Sequence, residues 1–182
     1  MRISPIKRIE GDKVILEPFS SKFVSEDYLN WMNDKDASRF ILKADKKISF
    51  NDLHVFTNEM INSEVDYFFA ILVKINNLHV GNVRLGPIDF KLSKSKFGIL
   101  IGNKDFRGTG IGTEVMHHTK DFCFNYLNLK QISMPVVKEH TAAINLYKKS
   151  GFKLNKNMSE KFRKNGNTWE LVELSMNNPQ IL

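Results

Sequence analysis

Apolar positions follow two different periods along this chain. KVILEPF (13–19) is a short run of strand-forming residues. Two amphipathic stretches follow it. SEDYLNWMND (25–34) starts on a serine suited to cap a helix and carries Tyr28, Leu29, Trp31 and Met32. SFNDLHVFTNEMIN (49–62) places Leu53, Phe56, Met60 and Ile61 at helical spacing. The period then changes. DYFFAILVK (66–74) is a continuous apolar run of β-formers, and NLHVGNVRLGPIDF (77–90) and KFGILIG (96–102), joined by KLSKS, read as further antiparallel strands.

After KFGILIG comes RGTGIGT (107–113), with Gly108, Gly110 and Gly112 behind Arg107. Ile111, Val115, Phe122 and Tyr126 then mark one face of a helix, with Thr119 between them. LKQISMPVV (129–137) reads as a strand, and HTAAINLYKKSGF (140–152) as a helix closed by Gly151. GFKLNKN and TWELVELSM are two last strands, with an Asn-Gly hairpin signal in KNGN (164–167). The predicted order is β, α, α, β, β, β, α, β, α, β, β. That is a mixed α/β domain whose antiparallel front half meets βα units later. There is no repeat, low-complexity segment or linker, so residues 1–182 are expected to form one domain.

Composition narrows the class. The 182 residues are 42% hydrophobic and 26% charged, as in ordinary globular proteins. No apolar stretch approaches the ~20 residues of a membrane helix, and MRISPIKRIEGDKVILEPF lacks a signal-peptide core, so a cytoplasmic protein without a membrane partner is expected. The single cysteine, Cys123, lies in DFCFNYL and reads as a small buried hydrophobe. It allows no internal disulfide. His117 and His118 have no metal-ligand spacing, so no metal is expected. The net charge of +7 suits an anionic ligand, but the lysines are scattered and form no nucleic-acid-binding arm.

The glycine loop lies between a predicted strand and a predicted helix. Helix N-termini offer free N–H groups and a positive dipole end to phosphate, and glycine removes the Cβ that would block close approach. Arg107 is a candidate charged contact. The spacing G-x-G-x-G misses the dinucleotide fingerprint, where Thr113 takes the last glycine's place, and Gly112 is followed by no lysine of a Walker loop. R-x-x-G-x-G does fit, from Arg107 through Gly110 to Gly112. This resembles the pyrophosphate motif of the GNAT superfamily of N-acetyltransferases. A second segment, AAINLYKKSGF (142–152), is similar to a later GNAT motif through Ala143, Asn145, Leu146, Tyr147, Lys148, Gly151 and Phe152. The pair is more specific than either half, and the resemblance extends from about Lys13 to Met176.

The resemblance implies a GNAT fold: a mixed, mostly antiparallel sheet splayed open to hold acetyl-CoA, with helices on both faces. It implies backbone contacts to the pantetheine arm near Leu100 and Gly102. It implies that Arg107, Gly108, Thr109, Gly110, Ile111, Gly112 and Thr113 surround the pyrophosphate, and that Asn145 contacts the arm or thioester. Acetyl moves directly to an amine in this family, and Tyr147 stands where the family's general-acid tyrosine does. A phenol of pKa near ~10 is protonated at neutral pH and can donate to sulfur. The family's glutamate base is missing from KSKFGILIG, where Lys96 and Phe97 stand. A water chain, Asp89 and His140 are the alternatives.

WMND (31–34), RF (39–40) and GNVRLGPIDF (81–90) resemble the branch holding ribosomal-protein N-terminal acetyltransferases and enzymes acting on amino sugars. Trp31, Arg39, Arg84 and Asp89 are candidate acceptor-pocket residues, although Trp31 reads equally well as a core anchor. The expected acceptor is a small-molecule amine such as a nucleotide-linked amino sugar. A protein N-terminus, or a CoA-binding module without turnover, is the alternative. A monomer or homodimer is expected.

Overall fold

The computed structural model describes residues 8–35, 40–41, 47–164 and 166–181. Its strands are β1 (Ile9–Glu10), β2 (Val14–Pro18), β3 (Tyr67–Val73), β4 (Leu78–Asp89), β5 (Lys94–Ile101), β6 (Gln131–Val137), β7 (Lys153–Lys164) and β8 (Asn167–Asn177). Its α-helices are α1 (Glu26–Asn33), α2 (Phe50–Ile61), α3 (Ile111–Asp121) and α4 (Thr141–Lys149). The strands form one sheet in the order β1-β2-β3-β4-β5-β6-β8-β7. Every pairing is antiparallel except β5 with β6. The predicted mixed sheet is therefore present. β1 was not predicted, because two residues are too few to express a period.

Alternation along the strands builds two cores. Val14, Leu16, Ile71 and Val73 face one way, packing with Ile111, Val115 and Met116 of α3 and Tyr147 of α4. Ile15, Ala70 and Leu72 face the other, packing with Tyr28 and Trp31 of α1 and Leu53 of α2. The helices thus cover both faces. Their starts follow the sequence signals: Ser25 accepts from the Tyr28 N–H, and Ser49 and Asp52 form a reciprocal capping box.

Two predicted helix faces need correction. Ile61 is 41% exposed, and Thr57 is buried beside Leu53 instead. Tyr126 is 56% exposed. Beyond α3 the chain passes into a π-helical turn over Phe122–Tyr126, closed by the Leu127 N–H on the Phe122 carbonyl. The wider turn rotates Tyr126 off the apolar stripe, so it stacks on Phe122 from outside. Cys123 is fully buried, and burial pushes its thiol pKa up, as suits an inert packing residue.

His79, on β4, sits in an aromatic cage. Its ring centroid lies 5.1 Å from those of Phe23 and Trp31 and 6.1 Å from that of Tyr28. Its Nε2 contacts Asn82 Oδ1 at 3.0 Å. Burial lowers its pKa despite that bond. The unfolded chain therefore binds this proton more readily than the native state, and stability must fall as pH drops below about 6.5. Urea unfolding at pH 7 and pH 5.5 should reveal this loss, and His79→Gln, which keeps a polar partner for Asn82, should reduce it.

Candidate functional site

The site begins where two strands part. β5 and β6 pair only at Lys94–Gln131, Ser95–Ile132 and Lys96–Ser133, although both strands continue. The Lys138 N–H donates to Glu170 on β8, and alternation turns the 133, 135 and 137 positions toward β5 instead. Position 135 is proline, so β6 has no N–H to offer at the first β5-facing position beyond the last pair. A one-sided gap opens there. Pro135 was the sequence signal for its position, and the sequence reading did not use it.

The same alternation assigns the backbone groups of β5. The Gly102 N–H donates to Val80 on β4 at 3.0 Å, and the Leu100 carbonyl presses against Gly81, where a Cβ would lie 2.2 Å from it. Both expected backbone contacts, Leu100 and Gly102, are thus turned toward β4 and engaged there. The groups facing the gap belong to Ile99 and Ile101. Gly102 has a packing role too: a Cβ there would fall 2.1 Å from the Trp31 indole. Trp31 is accordingly a core anchor under the end of β5 and not a pocket wall.

The glycine loop follows. Gly108 and Gly110 have φ of 75° and 91°, left-handed conformations that favour glycine. Gly110 caps α3, and its carbonyl accepts from the N–H groups of Thr113 and Glu114 at 3.1 Å. Among the described residues no acceptor takes the N–H groups of residues 108–112. A Cβ at Gly108 would meet nothing within 4 Å, so the cradle is open. These free donors, at the positive end of α3, fit a phosphate. Thr109 Oγ1 donates to the Phe106 carbonyl and stiffens the turn. Arg107 does not project freely. Its Nε donates to the Ile101 carbonyl at 2.9 Å and an Nη to the Gly102 carbonyl at 2.8 Å. It is a strut between loop and strand. On the far flank Gly112 lets α3 approach α4, where its Cβ position is 3.3 Å from Leu146.

On α4, Tyr147 is only 5% exposed, with its ring edge-on to Phe97 of β5 at 6.4 Å. Its hydroxyl has no hydrogen-bond partner among the described residues. Burial raises its pKa above the ordinary phenol value. Asn145 is exposed, and two residues of helix rotate it some ~200° away from Tyr147. The structure does not bring these two together. His140, at the N-cap and seven residues before Tyr147, shares its face instead. The His140 ring stacks on Phe40 at 4.2 Å, and burial lowers its pKa, keeping it neutral at pH 7.

The remaining acceptor candidates are engaged elsewhere. Arg84 donates from Nε to buried Asp66 at 2.8 Å and from an Nη at 2.6 Å, so its charge is matched. Asp89 is exposed and accepts the Leu92 N–H in the β4–β5 turn, at the closed end of the β5–β6 pair. Arg39 lies outside the described residues. Among the described residues no His, Cys, Asp and Glu side chains group as a metal site, and no helix is long and apolar enough to cross a membrane.

The family model described as acetyltransferase (GNAT) domain matches residues 13–153. The chain is 29% identical over 118 residues to spermidine N(1)-acetyltransferase of Vibrio cholerae, covering 65% of this chain and 67% of that enzyme. Its fold is similar to the crystal structure of a Vibrio cholerae spermidine N-acetyltransferase in complex with CoA and spermine, with TM-score 0.82, 21% identity, and 91% and 96% of the two chains covered. It is also similar, with TM-score 0.75 and 16% identity, to a Vibrio cholerae protein assigned as a ribosomal-protein-serine acetyltransferase, with 96% and 99% covered.

Arg107→Lys should loosen the loop without unfolding the domain, because an ammonium cannot span two carbonyls as the guanidinium fork does. Hydrogen exchange should speed up at residues 108–110 and stay unchanged across β3.

Proposed function

The chain belongs to the GNAT acetyltransferase family, and from that premise we propose that it acetylates a small aliphatic primary amine, with polyamines the first acceptors to test. Acetyl-CoA, when bound, supplies an activated acyl carbonyl and a thiol leaving group. The observation that carries the reading is the one-sided gap beside β5, with the buried Tyr147 ring set against Phe97 next to the point where the ladder stops. The five free N–H groups of residues 108–112 suit the donor's phosphates. Ile99 and Ile101 present backbone groups along the gap for its amide-bearing arm. Tyr147 donates a proton toward the departing sulfur. Its raised pKa keeps that proton in place across the working pH range.

The amine must be neutral to attack. Asp89 is tied to its turn, so it is a poor base. His140 is neutral at pH 7 and can accept a proton. Two helical turns place it about 10 Å along α4 from Tyr147. It therefore reaches the amine through water. Acidification protonates both His140 and the acceptor, so turnover rises with pH from the acid side.

The acceptor class rests on two supports. The similarity to a spermidine enzyme favours a polyamine. An anionic nucleotide sugar would need a free cation in the acceptor pocket, and of the two arginine candidates Arg84 is already paired with Asp66, while Arg39 lies outside the described residues. Thiol release from acetyl-CoA should be measured with spermidine, an amino-sugar nucleotide and a peptide N-terminus. Turnover with spermidine alone supports the proposal. Turnover only with the peptide moves the assignment to protein N-termini, and no turnover with any amine leaves a CoA-binding module.

Tyr147→Phe should lower kcat by roughly 10²-fold or more, within the range of general acid catalysis, and leave the Kd for CoA within about twofold. Wild-type turnover by this variant would remove Tyr147 from the chemistry.

A further inference from the structure

The cofactor's phosphates need countercharge, and the cation expected for that role is occupied: Arg107 spends two donors on the carbonyls of Ile101 and Gly102. A different ammonium reaches the glycine loop. Lys13 Nζ stands 3.8 Å from the position a Cβ would take on Gly110. Among the described residues no carboxylate lies within ion-pair distance of it.

Lys13 is distant in sequence from the loop, but its backbone is fixed on both sides. Its N–H donates to Glu114 Oε1 at 2.9 Å, and the Val14 N–H reaches the same oxygen at 3.3 Å. Glu114 lies in the first turn of α3, two residues after the last of the free amides. The Lys13 carbonyl accepts the Lys74 N–H at 2.8 Å. The β1–β2 turn sits so close to α3 that a Cβ on Gly11 would lie 2.2 Å from Glu114 Oε1 and 2.4 Å from His118 Nε2. Lys74 Nζ closes the arrangement with a 2.9 Å bond to the Gly11 carbonyl. An exposed lysine would ordinarily sample many rotamers. Here its root is anchored to the helix whose N-terminus forms the phosphate cradle.

We propose that Lys13 is a phosphate-binding residue of the donor site, presented to the glycine loop by Glu114. This rests on the assignment of that loop to coenzyme A phosphates. A cation delivered from the β1–β2 turn neutralises charge on the flank that Arg107 leaves uncovered, and Glu114 acts only through Lys13 as a positioning residue. Two phosphate sources fit the same chemistry, the pyrophosphate and the 3′-phosphate of the nucleotide.

Calorimetric titration of the full chain separates the outcomes. Lys13→Met should weaken CoA binding about tenfold, the size of one charge-assisted hydrogen bond. Lys13→Arg should stay within about threefold of wild type, and pantetheine, which has no phosphate, should bind all three proteins equally. An equal loss for dephospho-CoA assigns the contact to the pyrophosphate, and a loss confined to CoA assigns it to the 3′-phosphate. Glu114→Ala, which removes the acceptor of the Lys13 N–H, should weaken CoA binding in wild type and add nothing on top of Lys13→Met. Wild-type CoA affinity in Lys13→Met, or an equal loss for pantetheine, overturns the proposal. Failure of the wild-type chain to bind CoA would instead overturn the loop assignment beneath it.

Discussion

Parallel pairing between β5 and β6 lasts three residues, and the geometry of the site depends on where it stops. A sheet whose strands stay paired has no room for an extended ligand between them. Here the ladder ends after Lys96–Ser133, next to a proline that cannot donate on that edge. Beyond that point Ile99 and Ile101 turn backbone groups toward a space that none of the described strands fills. The antiparallel partners β4 and β8 hold the two diverging strands from outside.

The glycine loop takes its position from the same place. β5 runs out at Ile101, and Arg107 ties the loop back to the carbonyls of Ile101 and Gly102. The start of α3 is thereby held to the end of β5, and Glu114 fastens its first turn to the β1–β2 turn. α4 leans on α3 at Gly112 and sets Tyr147 against Phe97, the residue next to the last pair. Glycine loop, backbone edge and phenol therefore sit around one break in the sheet. Each is supplied by a different element, and none of these elements packs independently of the others.

Charge is arranged locally at this site, and the net value of +7 says little about it. Arg84 is matched by Asp66 under the sheet, and Arg107 is spent on carbonyls. His79 and His140 are kept neutral by burial. A count of basic residues suggested an anionic acceptor. At Arg84 that argument does not hold, because a cation already paired in a partly buried site offers little to a second anion.

Local patterns in the sequence determined most of the elements: serine caps for α1 and α2, the apolar run of β3, the glycines that start α3 and end α4, and the paired motifs that identify the family. These are legible because caps, periods and turns depend on residues within a few positions of one another. Other assignments were decided only by the tertiary structure. Trp31 lies under Gly102, Asn145 points away from Tyr147, and Leu100 faces β4. Arg107 braces carbonyls, and Lys13 stands beside Gly110 across about a hundred residues of chain. These facts depend on strand alternation, helix rotation and which distant element packs alongside. Motif spacing carries no information about a side chain's eventual partner when that partner is brought in by folding.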